Sequence, residues 1–149
     1  MRRTDEKYQE YLRILKEELI PAFGCTEPIA IAFAAACVRQ VLGVCPDSLR
    51  VEASGNIIKN VKSVIVPNTG GMKGIRTAAA AGVISGQAHR RLEVLAALTQ
   101  EDQARLRDYM ERTPIQVEKA SGSLPFDLIV SGTGEGHTAR VRIAGSHAN

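Results

Sequence analysis

A thiol, a hydroxyl and a carboxylate stand side by side at Cys25, Thr26 and Glu27, in a polar corner between two apolar segments. Thr26 is suited to cap a helix that begins at Glu27, because an acidic side chain and the following proline are both tolerated in a first helical turn. Unpaired N–H groups at that helix start favour the thiolate form of Cys25. The sequence therefore predicts that Cys25 ligates a metal or acts as a nucleophile. The alternative is a plain helix–turn–helix corner with an incidental cysteine.

A second polar set lies further along the chain, at Asn56, Lys59 and Asn60. If this turn is helical, the two asparagines share one face because they are four residues apart. Such a face could hold a polar ligand. Surface turns are rich in the same residue types, so an ordinary surface turn is the alternative.

A glycine-rich loop containing Thr69, Gly70, Gly71 and Lys73 precedes a helix of small residues. It is not a Walker loop, because Lys73 is followed by Gly74 rather than by Ser or Thr. Adjacent glycines let a backbone approach a ligand closely, and the N–H groups of a helix start attract an anion such as a carboxylate. The alternative is a tight strand-to-helix turn.

The remaining candidates for chemistry are one histidine and two further cysteines. His147 is a candidate base, with a solvated terminal histidine as the alternative. Cys37 lies within an apolar run and is expected to be a buried packing thiol, and Cys45 lies in a turn and is taken as incidental. The cysteines and histidines form no zinc-ligand spacing, so a metal would need ligands that are far apart in sequence or absent from this chain.

The elements that position these residues follow from hydrophobic periodicity. A spacing of three to four residues predicts helices over Asp5–Leu19, Glu27 to about Leu42, Ile75–Ser85, His89–Leu98 and from Thr99 to about Arg112. The second helix is apolar on every side, which is typical of a central helix. Thr99 and Asp102 have the spacing of a capping box.

A period of two residues predicts strands near Val51 and in three segments after Pro114, which contain Val117, Leu128 and Val141. Short turn-rich links predict that the last three form an antiparallel meander, which the strand near Val51 joins. The sequence thus predicts one α+β domain over residues 1–149, with N-terminal and central helices packed on a mostly antiparallel sheet of about four strands.

Composition excludes several classes of protein. The net charge is only +3, and with no tryptophan and three each of tyrosine and phenylalanine there is little material for base stacking, which disfavours nucleic-acid binding. The longest apolar run, Ile29–Val38, is about half of what a membrane span requires. A charged segment follows Met1 without a signal-peptide core, so we expect no membrane partner and a cytoplasmic location.

Four motifs in order resemble a known family: Pro21–Pro28, Asn56–Asn60, Val66–Gly74 and Ile143–Asn149. They are similar to those of the L-serine dehydratase alpha-chain-like family, which includes L-cysteine desulfidase. Asn68 and Ala148 depart from its pattern, where glycine and threonine are usual. Members of that family are more than twice as long, so the resemblance makes this chain the N-terminal fragment of a longer architecture.

The resemblance implies a [4Fe–4S] β-elimination lyase, with L-cysteine giving pyruvate, ammonia and sulfide, or L-serine giving pyruvate and ammonia. Cys25 would be one of three cluster ligands. Cys37 and Cys45 match no motif position, so the other ligands would lie in the absent C-terminal portion. We therefore expect the isolated chain to be inactive and to hold no cofactor.

The resemblance also implies roles for the other candidates. His147 and Lys59 would be catalytic. The substrate-binding residues would be Thr26, Glu27, Asn56, Asn60, Thr69, Gly70, Gly71 and Lys73. The expected partners are a small L-amino acid and either a second copy of the chain or the absent C-terminal portion. The alternative function is a catalytically silent truncated domain with a structural or partner-binding role.

Overall fold

The computed structural model describes residues 9–15, 27–122 and 126–145. The elements in these ranges are β1 (Gln9–Leu15), α1 (Glu27–Leu42), β2 (Ser48–Ala53), α2 (Gly55–Val61), α3 (Ile75–Ser85), a 3-10 helix (Ala88–Ala97), α4 (Gln100–Arg112), β3 (Ile115–Lys119), β4 (Phe126–Gly134) and β5 (His137–Gly145). The predicted α+β class is confirmed.

The described strands form one mixed sheet in the order β1-β5-β4-β2-β3. β4 pairs antiparallel with both β5 and β2, while β3 pairs parallel with β2 and β1 pairs parallel with β5. The β4–β5 hairpin turns at Glu135 and Gly136, which both have positive φ, as a tight hairpin of matching twist requires. The sheet therefore has five strands where about four were predicted.

The helix predicted over Asp5–Leu19 is wrong for Gln9–Leu15, which forms β1. This segment pairs along β5 from Gln9 opposite Thr138 to Leu15 opposite Ala144. Pairing with a distant strand thus outweighs the local helical periodicity.

The predicted meander is correct for β4 and β5 but wrong for β3. β2 lies between β3 and β4, because β2 pairs with β4 on one side and with β3 on the other. The connection between the parallel strands β2 and β3 runs through α2, α3 and α4, which is the long crossover that parallel pairing requires.

The core lies between the sheet and the helices α1 and α3. From Pro28 to Val38 every residue of α1 except Ile29 is buried, so the prediction of a central helix is confirmed. Gly82 of α3 lies directly against the backbone of Ala32 in α1, where a Cβ would fall 2.8 Å from the Ala32 Cα. The small residues of both helices therefore let their backbones approach closely.

Candidate functional site

The polar set on α2 lies on a true helical turn. Asn56, Lys59 and Asn60 are exposed, while Ile57 and Val61 of the same helix are buried in the core. Because the two asparagines are four residues apart in a helix, they share the solvent-facing side with Lys59. The sequence-based condition for a common face is therefore met.

The glycine-rich loop is held in shape by Thr69, which is completely buried. Its hydroxyl donates to the carbonyl of Val66 at 2.7 Å and accepts from the backbone N–H of Met72 at 3.2 Å. In this geometry the side chain of Thr69 contacts the loop itself. A direct bond from Thr69 to a ligand remains a prediction.

Gly70 and Gly71 form the outer part of this loop, with φ of 79° and 93°. Both values lie in the left-handed region that side chains disfavour, so glycine is needed at each position. A Cβ at Gly71 would meet no atom within 4 Å, whereas one at Gly70 would fall 2.9 Å from Oε1 of Gln103. The Gly71 side of the loop is thus open to an approaching molecule.

Backbone hydrogen bonds fold the loop onto the segment that follows α2. The N–H of Val66 donates to the carbonyl of Met72 at 2.9 Å, and the N–H of Gly74 donates to the carbonyl of Val64 at 3.2 Å. A Cβ at Gly74 would fall 3.7 Å from the carbonyl oxygen of Lys62, the C-terminal cap of α2. The end of α2 and the start of α3 therefore lie side by side.

The start of α3 is electropositive. Gly74 is its N-terminal cap and provides no side-chain hydrogen bond, and the first turn contains no acidic residue. Lys73 and Arg76 flank this helix start and are exposed. Unpaired N–H groups and two nearby cations together favour an anion.

Sequence reasoning missed Arg76 as a member of this site, and it missed the approach of the Lys62 backbone to Gly74. Arg76 could have been found as the second residue of the predicted α3. Lys62 is brought to the helix start only by the hydrogen bonds between Val64 and Gly74, which have no local sequence signal.

Three of the predicted site residues, Cys25, Thr26 and His147, lie outside the described residues. Glu27 is the first residue of α1 and is half-buried. Cys37 is buried in α1, as predicted for a packing thiol, and Cys45 is exposed.

Within the described ranges, no group of three or more His, Cys, Asp or Glu residues could hold a metal ion. None of the helices described is long and apolar enough to cross a bilayer.

The described residues thus form an α+β domain with one mixed sheet and a glycine-rich loop that leads into a helix of small residues.

A UPF0597 protein of Desulfitobacterium hafniense is 48% identical over 149 residues, which are 100% of this chain and 35% of that protein. A UPF0597 protein of Treponema denticola is 44% identical over 143 residues, covering 96% of this chain and 33% of that protein. A third, from Lachnoclostridium phytofermentans, is 59% identical over 95 residues, covering 64% of this chain and 23% of that protein.

The chain therefore spans about a third of the length of the first two of these relatives. No family model and no solved structure matches the sequence.

These relatives correct the functional interpretation of the sequence. They are named UPF0597 proteins, a name that states no activity, and not L-serine dehydratase or L-cysteine desulfidase. The resemblance to the L-serine dehydratase alpha-chain-like family is therefore wrong, as is the iron–sulfur β-elimination lyase drawn from it. A catalytically silent truncated domain fits these relatives no better.

Proposed function

We propose that this domain binds a small molecule through a carboxylate group, at the start of α3 beside the C-terminal end of α2. The observation that carries the proposal is the electropositive helix start. It has no side-chain cap, no acid in its first turn, and exposed cations at Lys73 and Arg76.

The roles of the individual groups follow from their chemistry. The first N–H groups of α3 point along the helix axis and would donate to the carboxylate oxygens. Gly71 leaves the approach to the loop free of side-chain atoms. Lys73 and Arg76 would attract the carboxylate through their positive charges without having to form a fixed ion pair with it.

The polar face of α2 supports a ligand with a second polar group. Asn56 and Asn60 each offer an amide donor and an amide acceptor, and Lys59 offers an ammonium donor. A small L-amino acid carries a carboxylate that suits the start of α3 and an amine that suits the polar residues of α2.

Titration of the isotope-labelled chain with L-alanine, followed by amide NMR, tests the proposal. We expect chemical-shift changes at Gly71, Ile75 and Arg76, and none with L-alaninamide, which lacks the carboxylate. The double variant Lys73→Gln, Arg76→Gln should bind L-alanine roughly fivefold more weakly, because the two exposed charges together contribute about 1 kcal/mol.

Arg107→Gln is the matched control, since it removes an exposed cation from α4. It should leave binding unchanged. Equal shifts with L-alaninamide, or equal affinity in the double variant and the unchanged chain, would refute the carboxylate site.

A further inference from the structure

A second candidate site lies on the side of the sheet that faces away from α1 and α3. Along β2, Leu49 and Val51 are buried in the core, while Arg50 between them is exposed. β4 and β5 show the same alternation, with buried Val130 and Val141 on the core side. The residues that alternate with these buried ones along each strand therefore form an outer, polar face of the sheet.

Strand register places two arginines in one row across this face. Arg50 lies opposite Ser131, and Ser131 lies opposite Arg140. Because neighbouring strands are about 4.8 Å apart, the two arginine Cα atoms are separated by roughly 10 Å, with Ser131 between them. The long side chains can converge over that distance on a single group.

A second row of hydroxyl groups runs beside the first. Ser48 lies opposite Thr133, and Thr133 lies opposite Thr138. Both rows line a groove of about 560 Å³ on the outer face, which is a volume typical of small-molecule sites. The groove thus presents two guanidinium groups and several hydroxyl donors to one ligand.

Two acids, Glu52 and Glu118, balance the charges of the two arginines at the groove. Its lining contains Arg50 and Arg140 and one acid, Glu52. Arg50 also pairs with Glu118 at 2.6 Å, and this hydrogen bond raises the pKa of the guanidinium further. Both partners are about half exposed, so the pair is weak and a ligand can compete for Arg50.

The neighbouring arginine on β5 is engaged elsewhere. Arg142 donates two hydrogen bonds, at 2.8 and 2.9 Å, to the two carboxylate oxygens of buried Asp127. The Arg142 side chain thus serves a structural ion pair. Arg140, two residues before Arg142 on β5, lines the groove.

We propose that this groove binds the phosphate group of a phosphorylated small molecule. A phosphate has three oxygens and up to two negative charges, so it can accept from both guanidinium forks and from the hydroxyl of Ser131 together. A carboxylate has only two oxygens and one charge and matches fewer of these donors. The site is separate from the start of α3 and does not depend on the function proposed there.

The experiment is an amide NMR titration of the full chain with inorganic phosphate, at constant ionic strength kept with chloride. We expect shifts concentrated in β2, β4 and β5. The double variant Arg50→Gln, Arg140→Gln should bind phosphate at least about tenfold more weakly. Arg112→Gln is the matched control, because it too removes an exposed arginine from an ion pair, with Asp108 on α4, and it should bind as the unchanged chain does.

Two further variants and a comparison with acetate test the same groove. Ser131→Leu fills the middle of the groove while both arginines stay, and it should also abolish binding; it decides the matter if the double variant fails to fold. Lys73→Gln, Arg76→Gln should leave the shifts in β4 and β5 unchanged. Phosphate binding that survives in Ser131→Leu, or acetate binding as tight as phosphate, would overturn the proposal.

Discussion

Replacing Gly82 with alanine tests the close packing of α1 and α3. The new Cβ would fall on the carbonyl oxygen of Ala32 and 2.7 Å from its carbonyl carbon. Carbon atoms in favourable contact are about 3.5–4.0 Å apart, so the two helices must separate by roughly 1 Å. A gap of that size sacrifices a quarter to a half of the dispersion energy between the facing atoms.

Two opposing contributions set the expected change in the free energy of unfolding for Gly82→Ala. Overpacking of a core costs about 1–3 kcal/mol, and a clash with backbone belongs at the upper end of that range. Alanine is about 1 kcal/mol better than glycine inside a helix, which offsets part of the loss. We therefore expect Gly82→Ala to lower the free energy of unfolding by about 2 kcal/mol, and Tm by about 4–8 °C.

Urea unfolding followed by far-ultraviolet circular dichroism is the suitable assay, because the chain contains no tryptophan. Gly55→Ala is the matched control: its Cβ would meet only Cε of Lys119, at an ordinary 3.7 Å. That variant should stay within about 0.5 kcal/mol of the unchanged chain. If Gly82→Ala were as stable as Gly55→Ala, with the same urea dependence, the helices would not be in backbone contact and the reasoning would fail.

Two further predictions concern charged groups. Asp127→Asn should lower the free energy of unfolding, measured in urea, by about 2 kcal/mol. Breaking a fully buried pair costs about 3–5 kcal/mol, and the cost is smaller here because the Arg142 side chain is 26% exposed. An unchanged urea midpoint would contradict this. The backbone N–H of Thr99 donates to Asp102 at 3.0 Å and lowers the pKa of that carboxyl group. The resulting stability is present above the ordinary carboxyl pKa of about 3.9 and is lost as pH falls through the lowered pKa. The difference in urea midpoint between the unchanged chain and Asp102→Asn should therefore shrink as pH falls below about 4, and a constant difference would refute it.

Features that depend on neighbouring residues were predicted well. The capping box of Thr99 and Asp102 forms as expected, with bonds of 3.0 and 3.2 Å. The helix of small residues ends at Gly86, which adopts the left-handed conformation of a helix C-cap. The uniformly apolar α1 is buried because no polar side permits a surface position.

Features that depend on distant partners were predicted poorly. The segment Gln9–Leu15 carries a helical pattern, and only the presence of β5 as a partner makes it a strand. The position of β3 at a sheet edge is equally invisible locally, because any of the other strands could have been its neighbour.

In the candidate site, too, the local feature was predicted and the long-range contact was not. The common face of Asn56 and Asn60 needed only a helical turn and was predicted, whereas the approach of Lys62 to the start of α3 needed the loop hydrogen bonds. The family resemblance failed for a related reason. Short glycine-rich and asparagine-rich motifs determine turns, and a turn can serve unrelated chemistries.

The pairing of β1 with β5 has a consequence for folding kinetics. These strands come from opposite ends of the described chain, so joining them closes the longest loop between any two paired strands that the structure describes. The β4–β5 hairpin and its pairing with β2 involve shorter loops and can form first. β1 would then add last to an existing sheet edge and detach first, giving its amides the fastest native-state hydrogen exchange among the five strands.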